Sequence, residues 1–257
     1  MTVPTPRTLY VHDDLLPALS ARFGDDAAAT KLARELLTDV AGDGSRVVLL
    51  SLESQLGALI ALGQHAPFDA AVGIAGAGER VARQLHARTG WFPVIHGVEV
   101  TRLEAADGGY VLDTPRRPAL AAQLSALDLH GRVAIVDDTV YSGLTMRAVV
   151  SALPAGVQAR AHAFCLRGVA DGIATVAALC PISAGFVATG RMDHDVSFIN
   201  ASGLVRRGAI RRAGAAPLAF FERPEWLRAW FPGRDATVLR LCRDLHAVLE
   251  DTGLGDL

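Results

Sequence analysis

Short apolar runs recur along this chain, separated by stretches with helical spacing. Val47–Leu52, Ala70–Ile74, Val94–Val100, Val133–Val136, Arg160–Cys165 and Ile182–Ala188 read as strands. Leu56–Leu62, Glu79–Arg88 and the periodic series Thr145, Met146, Val149, Leu153 read as helices between them. This alternation predicts an α/β fold. Its parallel sheet has about five strands, helices on both faces and ligands at the C-terminal strand ends. The first ~45 residues read as helical, with Asp25 and Asp26 capping a helix over Ala27–Val40 that carries Leu32, Leu36 and Leu37 on one face. Thr101–Arg117 is polar and turn-rich. Residues 191–257 break the alternation. Pro224 opens a short helix holding Trp226 and Trp230, and a last helix over Thr237–Glu250 lines up Val238, Leu241, Cys242, Leu245, Val248 and Leu249. The expected division is a helical N-terminal segment at 1–45, a core at 46–190 and a C-terminal lobe at 191–257, the two ends forming a helical or irregular hood.

The chemistry concentrates in Gly131–Arg147, GRVAIVDDTVYSGLTMR. A buried strand leads to two adjacent carboxylates, Asp137 and Asp138. A small-residue loop follows and then a helix start. The first N–H groups of a helix have no partners within it, and the helix dipole favours an anion there. Gly143 permits a tight turn. Ser142 and Thr145 add hydroxyls. The carboxylates suit a vicinal diol or Mg²⁺-bound water.

This segment resembles the ribose-phosphate signature of the type I phosphoribosyltransferases, with Asp137, Asp138, Ser142, Gly143 and Thr145 in register. The resemblance implies that Asp137 and Asp138 hold the ribose hydroxyls of phosphoribosyl pyrophosphate (PRPP) and reach Mg²⁺ through water and substrate. It implies that the loop Thr139, Val140, Tyr141, Ser142, Gly143, Leu144 and Thr145 surrounds the 5′-phosphate. It implies a PRPP-dependent transferase that releases pyrophosphate while joining phosphoribose to a nitrogenous base or small aromatic acceptor. Purine-specific members carry an acid where this chain has Tyr141. A phenol, with a pKa of ~10, does not replace that acid.

A second turn, GIAGAGER at Gly73–Arg80, also joins a strand to a helix. The resemblance assigns Ala75, Gly76, Ala77 and Gly78 to the pyrophosphate. The family often has a cation in this turn, whereas this chain has none before Arg80. Arg102 is the candidate substitute and a candidate catalytic residue, with Arg116 and Arg117 behind it. Gly76 and Gly78, with Glu99 further on, also fit a Rossmann-type dinucleotide fingerprint, although Val81 takes its third glycine position. A PRPP- or nucleotide-sensing regulator without turnover is the main alternative. Weaker candidates are the MDHD run at Met192–Asp195, for a metal or for assisting pyrophosphate departure, and Phe186 or Phe198 for stacking on an acceptor.

Composition narrows these readings. The 257 residues are 51% hydrophobic, enough for a sizeable core. A net charge of −2 gives no general field for nucleic acid. Lys31 is the sole lysine, so the phosphate-binding cations are arginines, which offer planar forks. Cys165, Cys180 and Cys242 are widely spaced, which suggests neither a zinc site nor a disulfide framework. The N-terminus lacks an apolar signal core, and no uninterrupted apolar run reaches ~18 residues. A cytoplasmic homodimer using Mg²⁺, PRPP and a small acceptor, without membrane or nucleic-acid partners, is expected.

Overall fold

The structure is a computed structural model that describes residues 5–63, 67–105, 109–114, 117–192 and 194–251. The first half of the chain gives β1 (Thr8–Asp13), α1 (Leu16–Phe23), α2 (Ala28–Val40), β2 (Val47–Ser51), α3 (Leu52–Ala61), β3 (Ala70–Ile74), α4 (Ala75–Thr89), β4 (Ile95–Val98), β5 (Thr101–Glu104), β6 (Tyr110–Asp113) and α5 (Leu120–Ser125). The second half gives β7 (Val133–Val140), α6 (Leu144–Ala152), α7 (Ala155–Gln158), β8 (Ala161–Val169), α8 (Ala170–Ala177), β9 (Ile182–Ala188), β10 (Val196–Asn200), α9 (Ala201–Val205), α10 (Pro224–Trp230) and α11 (Asp235–Asp251). Two compact units emerge. One comprises residues 1–52, 103–109 and 191–257, and the other residues 53–102 and 110–190.

The second unit contains the expected five-stranded parallel sheet, in the order β4-β3-β7-β8-β9. Its central strands read AAVGI and VAIVD and are buried at every one of these positions. Continuous apolar runs of this kind mark a parallel sheet covered on both faces. Val81, Ala82 and Leu85 are the buried residues of α4, and Met146, Val149 and Val150 those of α6. Numbered along the chain, these strands run 2-1-3-4-5, so the order reverses between β3 and β7. Open α/β sheets bind ligands beyond the strand C-termini at such a reversal. The order differs from the 3-2-1-4-5-6 arrangement of dinucleotide-binding sheets.

Three local expectations are corrected. First, β7 continues to Val140, because β8 pairs with it as far as Gly168. Asp137 and Asp138 therefore lie inside the strand, not past its end. Second, α4 starts at Ala75 rather than Glu79, so the small residues form its first turn. Third, Thr101–Arg117 is not all loop: β5 and β6 pair as a two-stranded ribbon.

The chain ends do not form a purely helical segment. β1 runs between β10 and β2 in a second parallel sheet. Val47–Ser51, read as part of the core domain, belongs to this sheet. Leu9 and Val11 of β1 share a core with Leu36, Leu37 and Val40 of α2 and with Val238, Leu241 and Leu245 of α11. Asp25 accepts a hydrogen bond from Ser20 at 2.7 Å, and α2 has no side-chain cap. Pro224 does open α10, and Trp226 and Trp230 meet edge-to-face at 5.0 Å. Among the described residues, no helix is long and apolar enough to cross a membrane.

Candidate functional site

At the C-terminal ends of β3 and β7, the second unit brings together the acidic pair and both helix starts. Gly78 is the hinge of this arrangement. A Cβ there would come within 2.2 Å of Val136 O and 3.1 Å of Asp137 Cα. The missing side chain therefore lets the first turn of α4 press against β7 beside the acids.

Asp137 is 9% exposed, and its Oδ1 accepts the Asp138 N–H at 2.8 Å. Burial pushes its carboxyl well above the usual range, and the Asp138 charge adds to this; the Asp138 N–H and Arg102 pull the other way. Asp138 is held differently. Its Oδ2 accepts a hydrogen bond from Arg167 Nη2 at 3.1 Å, and Arg167 is entirely buried. One carboxyl thus favours its proton, and its neighbour faces a permanent cation. Cys165, in register with Asp137, is buried, and burial pushes its thiol up; it is not poised as a nucleophile.

The loop after β7 forms a cradle lined by Arg102, Asp137, Thr139, Val140, Tyr141, Ser142, Gly143, Leu144, Thr145 and Met146. Gly143 caps α6 with φ 77°, a left-handed conformation. Its need for glycine has a second source. A Cβ would meet Thr175 Oγ1 at 2.4 Å and Gly172 O at 3.0 Å, so α8 presses on the loop from behind. Gly172 returns the fit, since its own Cβ would come within 1.8 Å of Tyr141 O. Thr175 Oγ1 donates to Ser142 O at 3.2 Å. Ser142 Oγ accepts the Leu144 N–H at 3.4 Å. Thr139 Oγ1 is buried without a hydrogen-bond partner, which leaves a polar group to spare beside the cradle.

The α4 turn is built otherwise. Ala75 has φ 50° and is the one described residue other than glycine with a positive φ. Such a conformation costs about 1–3 kcal/mol. The Arg80 guanidinium folds back over Gly76, its Nη1 3.3 Å from where a Cβ would sit. A cation therefore does stand at this turn, one helical turn later in sequence than the resemblance implies. Arg102 lies at the other side of the site. Its guanidinium is 5.1 Å from the Tyr141 ring and 5.7 Å from the Tyr110 ring, beside the α6 cradle.

Glu99, the acid of the dinucleotide reading, is exposed and pairs with Arg117 at 3.0 Å. His194 and Asp195 of the MDHD run bond each other at 3.2 Å, and Asp195 accepts the Arg191 N–H at 2.9 Å. Phe198 stacks on Tyr10 at 5.0 Å. Arg116 and Asp193 lie outside the described residues. Among the described residues, no group of three or more His, Cys, Asp or Glu side chains could hold a metal ion. Asp137 and Asp138 are adjacent oxygen donors of the hard kind that Mg²⁺ takes, with burial favouring the proton on Asp137.

Sequence reasoning missed Arg167, Gln55, Gly172 and Thr175. The signal for Arg167 is a single charge after an apolar run, in AHAFCLRGV, beyond the expected strand end at Cys165. The other three act through tertiary contacts that local spacing does not reveal.

No family model and no curated protein matches this sequence. Several solved structures are similar to it in part. A purine phosphoribosyltransferase from Pyrococcus horikoshii Ot3 is 18% identical, over 57% of this chain and 86% of that one, with a TM-score of 0.36. An orotate phosphoribosyltransferase from Aeropyrum pernix is 20% identical, over 60% and 76%, with a TM-score of 0.36. An APRTase from Giardia lamblia complexed with 9-deazaadenine is 14% identical, over 59% and 84%, with a TM-score of 0.41.

Proposed function

We propose that this protein is a PRPP-dependent phosphoribosyltransferase. The observation that carries this reading is the meeting, at one sheet reversal, of two anion-ready helix starts with an acidic pair between them. A sugar with a phosphate at one end and a diphosphate at the other needs that layout. In this reading, the N–H groups opening α6 and the hydroxyls of Thr139, Ser142 and Thr145 take the 5′-phosphate. Asp137 and Asp138 take the ribose hydroxyls, and the α4 turn with Arg80 takes the diphosphate.

The reaction breaks the bond between the anomeric carbon and the diphosphate oxygen. The electron pair leaves with pyrophosphate, and an acceptor nitrogen supplies the pair for the new bond. As the bond breaks, positive charge develops on the ribose ring and negative charge on the leaving group. Arg80 and the α4 amides are fixed beside the second charge, and Asp138 faces the first. The chain also holds the reactants in line and limits water. Asp137 and Asp138 would hold Mg²⁺, which would supply further neutralisation of the leaving group.

The test is calorimetry with ribose 5-phosphate and PRPP, followed by pyrophosphate release with Mg²⁺ and a panel of bases and small aromatic acids. Binding should weaken about 100-fold in the Asp137→Asn, Asp138→Asn double variant, because each hydrogen bond to a charged group contributes about 1.5–3 kcal/mol. Equal affinity in the double variant would sink the reading. Binding without pyrophosphate release from any acceptor would assign the protein to sensing instead.

A further inference from the structure

Arg167 is a fully buried arginine on β8 with no route to a ligand of its own. Its guanidinium is held from two sides. Nη2 donates to Asp138 Oδ2 at 3.1 Å, and Nη1 donates to Gln55 Oε1 at 3.4 Å. Gln55, on α3, is 2% exposed. Its backbone is fitted against β9, where a Cβ on Gly185 would come within 2.3 Å of Gln55 O. The Asp138 side chain is 21% exposed, whereas that of Arg167 is 0% exposed. The carboxylate is therefore partly open, while the cation holds it from within the fold.

We propose that Arg167 is the positioning residue for Asp138, fixing the carboxylate that accepts the ribose 2-hydroxyl. This rests on the phosphoribosyl reading above. A partly exposed carboxylate on a short side chain samples several rotamers, and each non-productive one lowers its value as an acceptor. A guanidinium is planar and carries five donors in a fixed fork, so it sets both the direction of the carboxylate and its charge. Burial makes the pair interdependent. Removing either partner strands the other without compensation, whereas removing both charges together does not.

The experiment compares ribose 5-phosphate with 2-deoxyribose 5-phosphate by calorimetry on the full chain. Neither probe carries a base, and they differ at the hydroxyl assigned to Asp138. The wild type should prefer ribose 5-phosphate by about tenfold, the value of one hydrogen bond to a charged group. Arg167→Met should bring that ratio close to one and leave the affinity for 2-deoxyribose 5-phosphate within about twofold of wild type, since the α6 cradle is untouched. Asp138→Asn should likewise bring the ratio close to one, and the double variant should lose no more of it. Arg167→Lys, which keeps the charge without the fork, should recover part of the ratio.

If Arg167→Met shows no cooperative melt, the double variant and Arg167→Lys carry the test. An intact ratio in Arg167→Lys together with weaker binding of both probes by the double variant would then overturn the proposal. In a folded Arg167→Met, a preserved ratio, or an equal loss for both probes, overturns it and marks Arg167 as structural. A wild type that binds neither probe overturns the phosphoribosyl reading itself. A wild type that prefers ribose 5-phosphate, beside an Arg167→Met variant that does so equally, removes only the role of Arg167.

Discussion

The two helix starts that flank Asp137 and Asp138 differ in how they are held. The α6 start is braced from behind: Gly143 and Gly172 fit α8 against the loop, and Thr175 ties down Ser142 O. The α4 start is pressed against β7 through Gly78 and opens on the strained Ala75, with one long cation over it. A braced cradle suits a group that stays bound throughout a reaction. A strained turn under a single arginine suits a group whose charge and position change. Two turns with the same local recipe, small residues before a helix, thus acquire different mechanical characters from what stands behind them.

The comparison breaks most visibly at Arg80. Arg80→Ala should lower kcat and kcat/KM for pyrophosphate release together, by about 100-fold, as for loss of one donor to a developing charge. Affinity for ribose 5-phosphate should stay as in the wild type. If Arg80→Ala weakens ribose 5-phosphate and spares kcat, the assignment of the two turns is reversed. Arg102→Ala is the control on the other side: with Arg102 against Tyr141, its loss should act on ribose 5-phosphate affinity.

The bracing of α6 is tested more gently by Gly172→Ala. The added methyl would displace Tyr141 and with it the cradle. Ribose 5-phosphate should bind about tenfold more weakly, and stability should fall by about 1–3 kcal/mol, the usual cost of overfilling a tight contact. Unchanged calorimetry in this variant would show that α8 does not shape the cradle.

The smallest effect concerns the acid shared by the two turns. In the ligand-free protein, buried Asp137 holds its proton to higher pH than it does in the unfolded chain. Between the ordinary carboxylate range and that raised value, the folded state carries more protons, so stability falls as pH rises. Below this window the contribution is fully present. Asp137→Asn should remove the slope, and its melting temperature should exceed the wild type's by about 2–4 °C per kcal/mol regained at the upper end of the window. Parallel melting curves for the two proteins across that window would contradict this.

Much of the second unit was legible in the sequence because its information is local. The central strands of this sheet open on unbroken runs of small and apolar residues, AAVGI and VAIV, and VAIVDD beside SGLT is a compact signal. What escaped notice depends on partners distant in the chain. β1 is six residues, buried at Leu9, Val11 and His12, and it reads as a strand only beside β10 and β2. Arg80 folds back over Gly76 from one helical turn further along the chain, so the turn's own residues show no cation. Arg167 hides behind the acids, and from sequence alone an arginine near a strand end reads as exposed.

The pairing of β1 with β10 also constrains how the chain is made. Leu9 lies beside Ser197, so the first strand waits for a neighbour roughly 190 residues away. At about 5–20 residues per second, that wait on the ribosome lasts about 10–40 s. Throughout it, β1 can pair with β2 but has an open edge on its other side. An open edge is a template for strands of other chains. In the first unit, the edge left open during synthesis is therefore the one on β1 that β10 later covers.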